Sequence, residues 1–546
     1  MNVQTRKILK EQSFELKDKI SLNLTDKKTQ LLLVIFLTAL YLRFQGLYYG
    51  LPYVLNPQEA DNLVKIIAPL KWISKINAIH LPTVFTFLNT FVTYICSFTF
   101  DLNSILLRME ADSSSLLVPL RILSILFSIG SITLVYLICK IINPYSAIIA
   151  AGLLSVSLLH VKFSQVFMSY SGLTFLILLS TFYALKAYNS DKKSDYDLSL
   201  LFALVAASFN YFGLVAVISP VFSALFKGNI KYLKNNLKLF PIIFLVVNPF
   251  FVLDFIFSFS TYVKNYFNSF YYNKTSSYFL YSIDYLLCGM GPVAYFSALY
   301  LIKLKKQFND HILKILFSVP VLYLAAIGLF HLSDIGYTVV LVPYVCVASG
   351  LVLGNLHNNT EYKFVYIVLL LFVFWIPLKY TLKYNKIMAL ADTRVIATNW
   401  IKEHTSDNVK IAWDKNSIQL NWHDAYSKSE LKELVDETDL LISKQKFSIT
   451  PDSLKRKDWF LQLRKKVDYV ITDSLDYEVT KRQRADSQKK KYYKKLSKLK
   501  PLIAINPYLK DFDKKTNLSS IEDLYFPFNT LWERERAGPV IKIYKL

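Results

Sequence analysis

The chain has 546 residues, of which 53% are hydrophobic, 15% aromatic and only 19% charged. Soluble domains carry about a quarter charged residues, so this composition and the mean hydropathy of +0.32 exclude a soluble multidomain protein. Few Gly and Pro (14 and 18) exclude a fibrous chain, and 40 Phe with 37 Tyr exclude disorder, which leaves a polytopic helical membrane protein with a soluble part.

Residues 1–30 are Lys-rich and polar (RKILKEQ, ELKDK, TDKKTQ), too long for a signal-peptide n-region, and no small-residue cleavage site follows. Residues 31–49 read as an uncleaved first span with a cytoplasmic N-terminus. An outer segment, 51–116, comes next. Further apolar runs follow at 117–140, 145–163, 168–187, 198–211, 213–227, 238–257, 277–302, 312–331, 336–354 and 362–380, giving about eleven spans at ~20 residues per crossing. The connecting segments KAYNSDKKSDYD, FKGNIKYLKNNLK and LIKLKKQFND fall inside and are Lys-rich, whereas HVKFSQ and HLSDIGY fall outside with little positive charge. The formal charge of +23 therefore reads as cytoplasmic loops and contact with anionic lipid, not as nucleic-acid binding.

An odd number of spans places residues 382–546 outside. That tail has an amphipathic stretch from Asp392 to His404 and short β-like runs (VKIAW, VDYVIT, VIKIY), the pattern of a small extracytoplasmic α/β domain. Its basic run KRQRADSQKKKYYKKLSKLK is either a solvated helical face or a contact for anionic headgroups. The four cysteines (Cys96, Cys139, Cys288, Cys346) lie in apolar stretches without ligand spacing, so neither a disulfide framework nor a structural metal is expected.

Candidate chemistry concentrates in the outer segment. HLPTVFTFLNTFVTYICSF reads as an interfacial helix. Glu59 and Asp61 follow the first span beside Pro57 and Gln58, and a carboxylate at the membrane boundary is expensive unless it meets water, a cation or a substrate. Either could be a general base that frees an acceptor to attack a sugar's anomeric carbon, or a first-turn helix acid facing water. Arg43 either snorkels or lines a donor site; Arg121 either pairs with an acid across a cavity or anchors its helix. His160 and Lys162 form an outer basic pair suited to a lipid phosphate or to interfacial anchoring. His331 and Asp334 flank a later outer turn, and Asp254 ends the seventh span as a cap or as a ligand for cation or acceptor.

The run LRFxGLxxGLPYxxNPQE resembles the first-loop signature of the GT-C membrane glycosyltransferases, particularly the branch of the protein O-mannosyltransferases and the lipid A aminoarabinose transferase. The resemblance continues in Arg121-Ile-Leu-Ser, LLHVKFSQ, VNPFFVLDF, ADTRVIATNWI and the terminal RAGPVIKIY. It implies a GT-C fold and single-step, inverting transfer of a monosaccharide from a polyprenyl-phosphate carrier to a protein, lipid or glycan acceptor on the outer face of a cytoplasmic membrane. It implies no organic cofactor and is compatible with a divalent cation. Glu59, assisted by Asp61, would be the first-loop acid, and Arg43, His80, Arg121, His160 and Lys162 the phosphate-side basic set. The family's Asp is replaced by Gln58, FSQVFMSYSGLTF lacks the usual second-loop acid, and Gly336 precedes Tyr337 where a basic residue is usual. These departures motivate an alternative, a catalytically inactive relative that binds lipid-linked sugar or partners an active transferase. A transporter would show paired broken helices in repeated halves, which the sequence lacks.

Overall fold

A computed structural model describes residues 27–67, 83–97, 105, 108, 112–249, 251–252, 290–304, 307–329, 335–357, 363–406, 409–414, 417–420, 467–477, 487–509, 527–528 and 530–546. The apolar runs fold as helices: α1 (Lys27–Phe44), α4 (Ser114–Ile142), α5 (Pro144–Val156), α6 (Leu158–Ser164), α7 (Ser169–Ser190), α8 (Lys193–Phe209), α9 (Ile218–Lys227), α10 (Lys231–Val247), α11 (Pro292–Leu304), α12 (Asp310–Leu329), α13 (Val342–His357) and α14 (Lys363–Ala389). The segment 51–116 contributes α2 (Pro57–Ile67) and α3 (Thr83–Ser97).

Among the described residues, α4, α7, α12, the 3-10 turn 335–341 continued by α13, and α14 are long and apolar enough to cross a membrane, and the bent pair α5–α6 makes a sixth. The other expected crossings are shorter or more polar. α1 holds three basic residues in its 18. α8 has 17 residues, roughly 25 Å of rise against a hydrocarbon core of about 30 Å. Runs 238–257 and 277–302 extend outside the described residues.

Burial identifies the solvent. α3 turns Phe87, Phe91 and Ile95 outward and buries Thr86, Asn89, Thr90 and Thr93; α14 exposes Phe364, Leu371, Phe372 and Trp375. Apolar outside and polar inside reverses the pattern of a water-soluble helix and suits a surface bathed in hydrocarbon. The Lys-rich turns gather at one end: His311 packs against Tyr188 and Phe226, Asn236 donates to Asp197 at 2.6 Å, and Lys186 pairs with Asp195 at 3.0 Å. The 45–56 turn and the start of the C-terminal region meet away from that end.

The α5–α6 break bends the chain by 59° at extended Ser157. A helix end inside a bilayer needs partners for its last carbonyls, because no water reaches them. They come from neighbouring helices: Arg43 of α1 donates to the carbonyls of Leu154 (3.4 Å) and Ser155 (3.0 Å), and Thr381 of α14 donates to that of Val156 at 2.8 Å.

After α14 come α15 (Thr393–His404), β1 (Ile411–Trp413), β2 (Tyr469–Asp473), α16 (Ser487–Leu496), β3 (Ile503–Ile505) and β4 (Ile541–Lys545). The strands form one sheet in the order β1-β2-β4-β3, with β1 and β2 parallel and the other pairs antiparallel. Alternation divides its faces. Ile411, Trp413, Ile471 and Ile543 pack on α15, while Ala412, Val470 and Tyr544 pack on Tyr492, Tyr493 and Leu496 of α16. The Lys-rich run is thus partly a solvated face: Lys490, Lys491, Lys494 and Lys495 are exposed, and the tyrosines between them reach the sheet.

Candidate active site at the first outer loop

α1 ends at Phe44 and the chain turns through residues 45–56 into α2. Within the turn Gly46 packs directly against the end of the Gln165 side chain. Asn56 caps α2 by accepting from the Gln58 amide at 3.0 Å, and Pro57, which lacks an N–H, fits the first helical position. This start fixes where the acids point.

Glu59 is fully buried. Its two oxygens accept from Arg121 Nε (2.8 Å) and Nη2 (2.6 Å), and Oε1 also accepts from the Phe167 amide at 2.7 Å. Arg121 Nη1 donates to the carbonyls of Leu47 (2.7 Å) and Tyr49 (2.9 Å). The bidentate pair therefore joins α2, α4, the 45–56 turn and the α6–α7 connection. The segment FSQVFMSYSGLTF offers Glu59 a main-chain N–H where an acid was anticipated. Three N–H donors, two of them on the permanently charged Arg121 guanidinium, engage the lone pairs with which Glu59 would accept a proton. Asp61 and Gln58 are partly exposed and, three residues apart, share a face of α2.

The opposite side of the turn is held by the C-terminal region. Tyr49 donates to Asp392 Oδ2 at 2.9 Å and accepts from Arg394 Nη2 at 3.0 Å; Arg394 also holds Asp392 bidentately and donates to the Leu55 carbonyl at 3.1 Å. The terminal RAGP completes the junction, since Thr393 donates from its amide to Ala537 and from its hydroxyl to Pro539. Gly538, at φ +97°, passes where any Cβ would strike Thr393 and Asp392. Asn248 of the VNPFF segment accepts from the Thr83 amide (3.3 Å) and so holds the start of α3.

The remaining expected residues separate. Arg43 donates to Ser128 Oγ (2.7 Å) and to His160 Nδ1 (2.9 Å) in addition to the α5 carbonyls. A guanidinium only donates, so His160 Nδ1 accepts and the ring carries its proton on Nε2, a buried nitrogen without a partner. Arg43 and His160 thus join α1, α4 and the α5–α6 break. Lys162 is buried with its ammonium 3.8 Å from the Phe163 ring centroid. His80, Asp254, His331 and Asp334 lie outside the described residues. Gly336 is explained by packing: a side chain there would enter the Tyr170 ring, which stacks edge-on against Tyr337 at 5.2 Å. Neither a 390 Å³ cavity beside β2 nor a 750 Å³ groove between α11, α12 and α13 includes Glu59, Asp61 or Arg121. Sequence reasoning missed Tyr49 and Asn56, whose roles depend on partners or turn geometry that no spacing announces.

No family model matches the chain, and no curated protein matches it. Among solved structures it is similar to ArnT from Cupriavidus metallidurans in the apo state, at 12% identity and TM-score 0.47 over 84% of this chain and 95% of that one. It is also similar to ArnT bound to undecaprenyl phosphate, at 14% identity and TM-score 0.42 over 83% and 95%. A third likeness is to the archaeal oligosaccharyltransferase AglB from Archaeoglobus fulgidus, at 11% identity and TM-score 0.45 over 81% and 69%. Likenesses at this level assign no role to a residue.

Proposed function

We propose that the protein is a multi-pass membrane glycosyltransferase of GT-C type that moves a monosaccharide from a polyprenyl-phosphate carrier to an acceptor on the extracytoplasmic face. The N-terminus would be cytoplasmic, about eleven segments would cross or enter the bilayer, and residues 382–546 would lie outside. One observation carries the reading. Four of the motif segments that suggested the family, the 45–59 turn, Arg121, ADTR and the terminal RAGP, meet in a single hydrogen-bonded junction, with Tyr49 reaching Asp392 343 positions away. Chance matches scattered along a chain have no reason to converge.

In this proposal Glu59 and Arg121 are positioning residues that clamp the start of α2. The side chains they present are Gln58 and Asp61. Asp61 would draw the proton from the acceptor as it attacks the anomeric carbon with inversion, and Gln58 would orient the acceptor through its amide. The leaving group is a lipid phosphate whose charge grows in the transition state. In this proposal Lys162 and His80 belong to the phosphate side, and Arg43, Arg121 and His160 brace the helices around it.

The test is transfer of labelled monosaccharide from a short-chain polyprenyl phosphate by the purified chain in liposomes. Asp61→Asn should lower turnover while leaving the folded protein unchanged; Glu59→Gln should lower stability along with activity. Full transfer by Asp61→Asn would remove Asp61 from the chemistry. A folded wild-type protein that binds the lipid phosphate without transferring sugar would favour the inactive-relative reading.

A further inference from the structure

The C-terminal sheet holds a second set of buried acids, far in sequence from the first loop. Asp414 follows β1, Asp473 ends β2, and Asp476 lies in the single helical turn 474–477 beyond. The two strands are parallel neighbours, so both leave the sheet at the same edge and bring their next side chains together. The carboxyl ends of adjacent parallel strands are where open α/β sheets bind ligands.

The geometry suits an ion. One carboxylate oxygen from each residue lies within 4.8 Å of the others, and two ligands each about 2.4 Å from a common cation can be no farther apart than that. Asp414 is 5% exposed and Asp473 2%. Asp414 Oδ2 accepts from Tyr493 (2.8 Å) and from the Asp473 amide (3.2 Å), while Asp473 Oδ1 accepts from the Asp476 amide (2.8 Å). Asp473 Oδ2 is buried and has no hydrogen-bond partner. Among the described residues no Lys or Arg forms an ion pair with Asp473, unlike Glu59 with its guanidinium. A buried carboxylate oxygen without a hydrogen-bond donor is costly unless something supplies positive charge.

We propose that Asp414, Asp473 and Asp476 form a binding site for a hard divalent cation in the C-terminal domain. The donors are all oxygen, which selects Ca²⁺ or Mg²⁺ over thiolate- and imidazole-seeking metals. Asp473 and Tyr493 also line the 390 Å³ cavity beside β2, which has room for waters that complete the coordination. The site ties β1, β2 and the turn after β2 to α16 through Tyr493. It does not depend on the glycosyltransferase reading, because none of its residues belongs to the first-loop junction.

The test uses the full chain purified in detergent with Tb³⁺ as the probe and Ca²⁺ as competitor. Tb³⁺ emission sensitised by the adjacent tyrosines should appear and be displaced by Ca²⁺. Affinity should fall at least about tenfold in Asp476→Asn, where one of three anionic ligands becomes neutral. Asp476 is only partly buried, so this variant tests the site without altering the sealed Asp473. Unchanged affinity in a folded Asp476→Asn protein overturns the site. So does a wild-type chain that gives no sensitised emission and the same melting midpoint in EDTA and in Ca²⁺, since the acids would then share a proton instead.

Discussion

Glu59 and Asp473 are both carboxylates sealed from solvent, and the protein completes their surroundings differently. Glu59 sits at the start of a helix and receives three N–H donors, two from Arg121. Asp473 sits at the end of a strand, receives one amide, faces two further carboxylates and keeps a bare oxygen. Withdrawing a carboxylate from water costs several kcal/mol, so each must recover that from its neighbours. Glu59 recovers it within the chain and so builds structure; Asp473 does not, and its environment fits a ligand. Depth alone marks neither as catalytic. What separates them is whether a matched donor is present.

The widest test of that contrast is at Asp61, the acid beside Glu59 that stays partly exposed. Asp61→Asn should reduce sugar transfer by about 10²–10⁴-fold with no change in melting midpoint, measured on the same reconstituted sample. Next in size is Arg121→Ala, which strands Glu59 as an unpaired buried charge. It should destabilise the protein by about 3–5 kcal/mol in thermal or denaturant unfolding. Replacing both partners (Glu59→Gln with Arg121→Gln) should recover part of that loss. If the single and double changes are equally harmful, the ion pair is not what holds the turn.

Gly538→Ala should destabilise by about 1–3 kcal/mol, because φ +97° disfavours a Cβ and Thr393 and Asp392 occupy its place. Limited proteolysis of the C-terminal region would detect a loosened junction. The smallest expected effect has the opposite sign: Asp473→Asn in EDTA should be neutral or stabilising by about 0.5–1 kcal/mol, since it removes a like-charge contact without breaking a pair. Added Ca²⁺ should stabilise the wild type and leave that variant unmoved. Loss of stability in EDTA comparable to Arg121→Ala would show that Asp473 is paired after all.

Much of the architecture follows from the order of residues. Long apolar runs can satisfy their backbone only as helices, and alternation in VKIAW, VDYVIT and VIKIY appears as β1, β2 and β4. Helical spacing already separates the lysines of 487–496 from the tyrosines and leucine facing the sheet. The candidate site was legible in part. Glu59, Arg121, Asp392 and Arg394 stood out as motif residues, but nothing in their spacing said that Glu59 would be closed by Arg121, 62 residues away. Nor did His160 beside Lys162 show that its ring would serve Arg43 at a helix break and not a phosphate.

Local rules thus decided which segments are helix, strand and turn, because propensity, apolar periodicity and the need to satisfy backbone groups act over a few residues. Only the tertiary structure decided which charges meet. A carboxylate looks the same in sequence whether a guanidinium, a main-chain amide or another acid stands opposite, and that partner is supplied by a segment tens to hundreds of residues distant. The closed Glu59–Arg121 pair and the open Asp414–Asp473–Asp476 group both arise at that level.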